Sequence, residues 1–345
     1  MKILGIETSC DETAAAIVED GRHILSNAVV SQIDIFSEYG GVIPEVAARS
    51  HLEAMLPVID KAFSDAKCTW KDIDAIAVTH APGLLGSLLI GTLTARTLAI
   101  LHDKPLYAVH HLKSHIYANW LMNSQQLPSF PLLALVVSGG HTQILYMPGH
   151  NQFNIIGTTQ DDAVGECFDK VAKILGLPYP GGPSIAVAAL HGNPHQYSFP
   201  HPRVGGLNFS FSGLKTAVLR AVQKAVSVPI SYPSHQLRDL LSEQQVFDFA
   251  ASFQQTAIDI LLEKIQSAKE QYPEAKSIVF AGGVSANRLL REEATSLNPF
   301  FPDPKLSGDN GAMVAAACYY EIQSGIKPTD PYTLDIYPRI PITLE

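Results

Sequence analysis

The amino-acid sequence predicts an α/β protein of two lobes facing a shared central cleft. Three observations predict it. Short apolar runs alternate with segments of helical period along most of the chain. An opening pattern of strand, polar loop and two further strands returns about 130 residues later, as an internal duplication would make it do. With 345 residues, 46% of them hydrophobic and 17% charged, the chain is long enough for two domains and apolar enough to bury a core in each. The expected division is residues 1–128 for the first lobe and 129–324 for the second. A final segment, about 325–345, is expected to pack back on the first.

In the first lobe, residues 2–6, 14–19 and 23–30 read as strands. Apolar residues at Val46, Ala47, Met55, Val58, Ile59 and Ala62 predict a helix over 44–66. Residues 73–79 read as a buried strand ended by a Pro-Gly turn, before an apolar run over 84–101. Residues 106–109 form a short strand leading into a histidine-bearing helix. The second lobe opens with a strand at 131–137, then strands at 143–146 and 153–157. A strand at 277–280 precedes a glycine loop and a helix through Arg291.

Composition excludes several classes. A net charge of −9 argues against a protein that coats nucleic acid unaided, although a local basic patch is compatible with it. Cys10, Cys68, Cys167 and Cys318 form no Cys-x-x-Cys pair, which suits a reducing compartment and small buried thiols. The N-terminus enters a short strand and meets Glu7 at once, so no targeting segment is read and a cytoplasmic location is expected. The Asn208-Phe209-Ser210 sequon then has no use. The 84–101 run is long enough for a membrane span, but it contains Gly86, Gly91, three threonines and Arg96 and reads better as a buried helix.

His111 and His115 are the most informative residues. Four apart on a helix, they put two imidazoles one turn apart on one face, where they can chelate a divalent metal. A zinc protease helix carries its general-base Glu directly after the first His, and here that position is Leu112. The same spacing also suits a histidine-bearing core or surface helix. Ser138-Gly139-Gly140 lets backbone N–H groups approach a bound phosphate, or simply makes a turn. Gly282-Gly283-Val284-Ser285-Ala286-Asn287, between a strand and a helix, suits a nucleotide contact, with Asn287 able to read a base or ribose. Gly181-Gly182-Pro183 is a third tight turn. Residues 161–170 carry Asp161, Asp162, Glu166, Asp169 and Lys170 on a predicted helix start, where the helix dipole favours acids; Asp169, beside Phe168 and Val171, is less easily explained by solvation. Asp309 opens an alanine-rich helix and reads as its N-cap.

Together these residues closely resemble the TsaD family of tRNA threonylcarbamoyladenosine synthases, of the actin, Hsp70 and sugar-kinase (ASKHA) fold. The motifs are Gly5-Ile6-Glu7-Thr8-Ser9-Cys10-Asp11-Glu12-Thr13, the His111 and His115 helix, residues 136–142 and residues 161–170. Gly181-Gly182-Pro183, Phe209-Ser210-Phe211-Ser212-Gly213-Leu214-Lys215-Thr216, residues 282–287 and residues 309–315 complete them. They run in order along essentially the whole chain, and Leu177-Pro178-Tyr179-Pro180 is similar to the bacterial branch.

The resemblance implies roles. His111, His115 and Asp309 would hold one metal, which revises the N-cap reading of Asp309 or adds to it. Two His and one carboxylate favour ferrous iron, with zinc as the competitor. Val136, Val137, Ser138, Gly139, Gly140, Asp169, Gly182 and Asn287 would bind the nucleotide-linked substrate. The implied reaction moves a threonylcarbamoyl group from threonylcarbamoyl-AMP to N6 of the tRNA adenosine directly 3′ of the anticodon (adenosine 37), in tRNAs reading codons that begin with A, and releases AMP. Glu12 or Asp11 is the candidate base for the adenine amine, or an ordering group of the first loop. Lys215, Arg220 and Lys224 form a candidate tRNA patch or a solvated helix face. A paralogous TsaB-like subunit and a TsaE-like ATPase are the implied partners, and no membrane is. The alternatives are an ATPase or kinase-like enzyme of the same fold, a metalloprotease, which Leu112 disfavours, and a non-catalytic scaffold.

Overall fold

A computed structural model describes residues 1–121, 126–202 and 204–344. The chain forms two compact units. One comprises Met1–Leu132, Met147–Asn154 and Phe300–Glu345, the other Leu133–Tyr146 and Ile155–Pro299.

The first unit is built on a five-stranded sheet. Its strands are β1 (Lys2–Glu7), β2 (Glu12–Glu19), β3 (His23–Ser31), β4 (Ala75–Ala81) and β5 (Leu106–His110), in the order β3-β2-β1-β4-β5. β1 pairs antiparallel with β2 and parallel with β4, and β5 extends the parallel half. Its helices are α1 (Ile33–Tyr39), α2 (Pro44–Ala66), α3 (Leu85–His102) and α4 (His111–Tyr117), with a last helix near the end of the chain. Strand side chains alternate between faces. Leu4 and Ile6 point into a core with Ile17, Val58, Ile59, Ile76 and Val78, under α2 and α3. Gly5 faces the other way.

The second unit has a four-stranded sheet of β6 (Leu132–Val137), β7 (Thr142–Met147), β8 (Asn154–Thr158) and β9 (Ser277–Ala281). The order is β8-β7-β6-β9, which repeats β3-β2-β1-β4 and carries the duplication seen in the sequence. Among the described residues its α-helices are α5 (Val164–Leu175), α6 (Gly181–Ala189), α7 (Ser212–Ala225), α8 (Glu243–Gln271) and α9 (Arg288–Glu293). α8 is the buried spine, with Phe253 edge-on to Phe168 of α5 at 4.9 Å.

The last helix, α10 (Gly311–Gln323), covers the Gly5 face of the first sheet. A Cβ at Gly5 would lie 2.2 Å from the Gly311 carbonyl oxygen, so β1 and α10 meet backbone to backbone only because neither position has a side chain. The alanines that follow Gly311 are buried in the same contact, which spreads over β1 and β2. The return to the first unit thus begins at Phe300, ahead of the expected 325.

The 84–101 run is not a buried helix. α3 buries one face through Ser87, Leu88, Gly91, Thr92, Ala95 and Ala99, while Leu85, Leu89 and Leu93 are 58%, 43% and 46% exposed. It is long and apolar enough to cross a membrane by length and composition. Its mixed small and polar inner residues fit the close packing on α2 and β4.

Candidate functional site

Strand β5 runs directly into α4 without a loop, and His110 caps the helix by accepting the Leu112 N–H at 3.2 Å. This fixes the helical phase, so His111 and His115 project together with ring centroids 4.6 Å apart. Asp309, just ahead of α10, joins them. Its Oδ1 is 3.6 Å from His111 Nε2 and 3.1 Å from His115 Nε2, and one donor from each residue falls within 4.8 Å of the others. Bonds of about 2.1 Å to one ion would set neighbouring donors roughly 3–3.5 Å apart, so the set needs little closure.

Asp309 does not cap α10. The cap is Asn310, whose side chain accepts the Met313 N–H at 3.0 Å. The neighbouring residue takes the capping duty that the sequence suggested for Asp309, and the Asp309 carboxylate is turned to the histidines.

The surroundings fit a cation. Among the described residues, both ring nitrogens of His115 are buried without a hydrogen-bond partner, while Nε2 lies 3.1 Å from Asp309 Oδ1. A buried unsatisfied imidazole costs about 1–3 kcal/mol, which a metal bond would offset. Burial opposes charge on His111, yet Asp309 and Glu7 raise its pKa to about 9, so the pocket already recruits positive charge.

Glu7 has a role that the sequence reading missed. It ends β1 fully buried, accepting from the Ser9 N–H at 2.6 Å and the Thr79 hydroxyl at 2.5 Å. Its Oε2 lies 3.2 Å from His111 Nδ1, and Ser9 Oγ lies 3.1 Å from the same nitrogen. A carboxylate on Nδ1 keeps one ring proton there, so Nε2 is the nitrogen that would give up its proton to an ion held by the triad. Burial pushes the Glu7 carboxyl up, but the charge and hydrogen bond of His111 outweigh it and hold it ionised below its usual range. The sequence signals were a charged residue ending an otherwise apolar strand and its place in the Gly5 to Thr13 motif.

Asp11 and Glu12 follow on the β1–β2 turn. The turn is held by α2 and α3: the Cys10 carbonyl accepts from His51 Nε2 at 3.0 Å and Ser87 Oγ at 3.2 Å, and Ser9 O accepts the Leu84 N–H at 2.8 Å. Burial, with the charges of Asp309 and Asp11, pushes Glu12 up to about 10, so it is protonated at neutral pH. The Ser31 hydroxyl donates to it at 3.2 Å.

In the second unit, Val136 and Val137 are wholly buried side chains of β6, so only their backbone can meet a ligand. Ser138 closes a turn on His141, and the Gly165 N–H at the start of α5 donates to Ser138 O at 3.2 Å. A Cβ at Gly139, Gly140 or Gly182 would meet nothing within 4 Å. The fold itself therefore does not demand glycine at these positions, whereas close approach by a ligand would. Gly282 differs: φ is +88°, and a Cβ would lie 2.4 Å from Val137 O, which brings its loop beside the β6 turn. Asp169 accepts the Gly181 N–H at 2.7 Å and ties α5 to α6. Asn287 caps α9 by accepting from Leu290 N at 3.2 Å and donates to Gln254 at 2.8 Å. It also lines a cavity of about 180 Å³ with Ala186, Leu190, Arg288 and Glu292.

The acidic segment 161–170 serves several helices. Asp161 precedes α5 but accepts from Ser210, Phe211 and Ser212, so it anchors the start of α7. Arg220 is engaged with Gln223 and the Ile230 carbonyl, which leaves a weaker basic patch on α7 than the sequence suggested.

The family model described as tRNA N6-adenosine threonylcarbamoyltransferase (TsaD) matches residues 23–316. The chain belongs to the TsaD family. It is 49% identical to a relative of that name from Symbiobacterium thermophilum over 332 residues, 94% of this chain and 93% of the other. A Dehalococcoides mccartyi relative of the same name is 47% identical over 349 residues, covering 99% of this chain and all (100%) of the other. Among solved structures, the chain resembles T. kodakarensis HypF with TM-score 0.60 at 14% identity, over 96% of this chain and 50% of that one. The Acidaminococcus fermentans (R)-2-hydroxyglutaryl-CoA dehydratase component A gives TM-score 0.51 at 13% identity, over 94% and 99%. Such low identities speak for fold alone, and that fold is the actin, Hsp70 and sugar-kinase type.

Proposed function

We propose that the protein transfers the threonylcarbamoyl group of threonylcarbamoyl-AMP to N6 of adenosine 37 in tRNAs reading codons that begin with A. The observation that carries this reading is agreement, over nearly the full chain, with relatives named for that transfer. The adenine amine attacks the carbamoyl carbon, the bond from that carbon to the phosphate oxygen breaks, and AMP leaves with the electron pair. The amine's extra proton passes to a base or to water. Because AMP is a good leaving group, the protein's task is to align two reactants and stabilise developing charge.

His111, His115 and Asp309 would hold one divalent metal, ferrous iron by the two-His, one-carboxylate pattern, with zinc as competitor. When bound, such an ion supplies Lewis acidity and an open coordination position. Glu7 keeps the His111 proton on Nδ1. Ser138, Gly139, Gly140 and Gly182, with the backbone of Val136 and Val137, would receive the nucleotide-linked substrate, and Asp169 and Asn287 hold the loops that frame it. Glu12 rests as a carboxylic acid and can donate a hydrogen bond; to serve as a base it must first lose that proton, with Asp11 as the neighbouring carboxylate.

The exposed apolar stripe of Leu52 and Leu56 on α2 with Leu85, Leu89 and Leu93 on α3 supports docking of a paralogous TsaB-like subunit. A TsaE-like ATPase joins by family analogy alone. Free cysteines and a tRNA substrate support a cytoplasmic location. The test is in vitro transfer with labelled threonine, an adenylate-forming enzyme, tRNA and the partner proteins. Label reaches tRNA with wild type and not with His111→Ala; equal labelling in both rejects the metal-centred reading.

A further inference from the structure

We propose that the buried Lys113–Glu321 ion pair is a positioning pair that sets the register of α10 against α4, and through it the spacing of His111, His115 and Asp309. The proposal rests on the reading of those three residues as a metal centre. Lys113 lies between the two histidines in sequence, but about 200° around the helix from His111, so it leaves α4 on the opposite side. Its Nζ is 2.6 Å from Glu321 Oε1, and the two side chains are 6% and 2% exposed. The same ammonium lies 5.8 Å from the Phe153 ring centroid.

Glu321 stands twelve positions after Asp309. From Gly311, where α10 begins, to Glu321 the helix rises about 15 Å at about 1.5 Å per residue. The two helices are therefore tied at separated points, the ligand set at the start of α10 and the ion pair near its end. Beyond its packing on the sheet, the second tie holds the far end of α10 at one height and angle against α4. Tyr117 of α4 stacks on Tyr320 of α10 at 5.0 Å, at the same end as the ion pair.

α10 has a reason to need this. Its buried surface combines Gly311, Ala312, Ala315, Ala316 and Ala317 with the larger Met313, Val314 and Cys318. The Gly5–Gly311 approach fixes the start of α10 against β1, and the ion pair fixes its far end against α4. A buried ion pair adds little net stability, because desolvation offsets the attraction. What it does supply is a preferred geometry, since a slip would pull apart two buried opposite charges now 2.6 Å from each other.

The test compares metal-free wild type with two double variants, Lys113→Met/Glu321→Leu and Lys113→Glu/Glu321→Lys. Single substitutions would strand a charge and confound folding with register. Each protein is titrated with Co²⁺ and followed by visible absorption, with thermal unfolding measured in parallel. The apolar variant is expected to unfold at or near the wild-type temperature but to bind Co²⁺ about 10- to 100-fold more weakly, with a shifted absorption band. The charge-reversed variant is expected to recover wild-type binding. A folded apolar variant that binds Co²⁺ as wild type does, or a folded reversed variant that fails to recover, overturns the register role. Wild type that binds no Co²⁺ would instead remove the metal reading beneath it.

Discussion

Glu7→Gln probes the site where it is most tightly built. Glu7 makes three contacts, to Ser9 N–H at 2.6 Å, Thr79 Oγ1 at 2.5 Å and His111 Nδ1 at 3.2 Å. All three depend on a carboxylate that accepts. Glutamine is nearly isosteric but carries one donor group. Turned toward Ser9, its NH₂ faces another donor; turned toward His111, it donates to Nδ1 and forces the ring proton onto Nε2, the nitrogen aimed at the triad. The first orientation sets two donors against each other inside a fully buried site, and the second moves the ring proton to the nitrogen that the triad needs. Loss of such a partner to a metal-ligating histidine typically weakens metal affinity about 10- to 100-fold, or roughly 1.4–2.8 kcal/mol. The stability cost is about 1–3 kcal/mol for the stranded buried partner. The assay is Co²⁺ titration of the metal-free protein by absorption, beside a urea unfolding curve. Binding within a factor of about two of wild type, in a folded variant, would refute the role of Glu7 in setting the His111 tautomer.

Three further outcomes follow from the same geometry. Glu12 is protonated when folded up to about pH 10 but ionises near its ordinary value when unfolded, so the unfolded state binds fewer protons between those limits and metal-free stability falls as pH rises across them. The slope is at most about 1.4 kcal/mol per pH unit, and Glu12→Gln should flatten the Tm-versus-pH curve; an unchanged slope contradicts the raised pKa. Gly139→Ala and Gly140→Ala should unfold within about 0.5 kcal/mol of wild type, since beyond its chain neighbours neither Cβ would meet an atom within 4 Å, yet bind a non-hydrolysable adenylate analogue more weakly by calorimetry. Unaltered binding would show that these glycines only turn the chain. Leu89→Glu with Leu93→Glu should leave Tm and Co²⁺ binding intact while reducing co-purification with a TsaB-like subunit, and undiminished co-purification would move the docking surface elsewhere.

Much of the architecture was legible because it follows from periodicity. The expected strands at 2–6, 23–30 and 106–109 became Lys2–Glu7, His23–Ser31 and Leu106–His110, and the expected helix over 44–66 became Pro44–Ala66. Side-chain alternation and helical spacing are local properties, so sequence reveals them. What it hid depends on contacts between distant segments. Nothing local in α10 shows that it will cover β1, because that is decided by glycine at positions 5 and 311 together. The Asp309 cap reading failed since two adjacent residues, Asp309 and Asn310, can both cap, and only the turn geometry chooses between them. The outer leucines of α3 were assigned to a core because an apolar run says nothing of which face lacks a neighbour. The histidine pair was readable by spacing, but its setting of Glu7, Thr79 and Ser9 spans three segments and was not.

The most direct measurement of the central claim is product stoichiometry in the complete in vitro reaction, with AMP, phosphate and tRNA-bound threonine quantified together after threonylcarbamoyl-AMP is supplied preformed. The expected result is one AMP for each threonine joined to tRNA, no phosphate released by this chain, and loss of both products in Asp309→Ala. Phosphate release from ATP without tRNA labelling, or labelling that persists in Asp309→Ala, would contradict it.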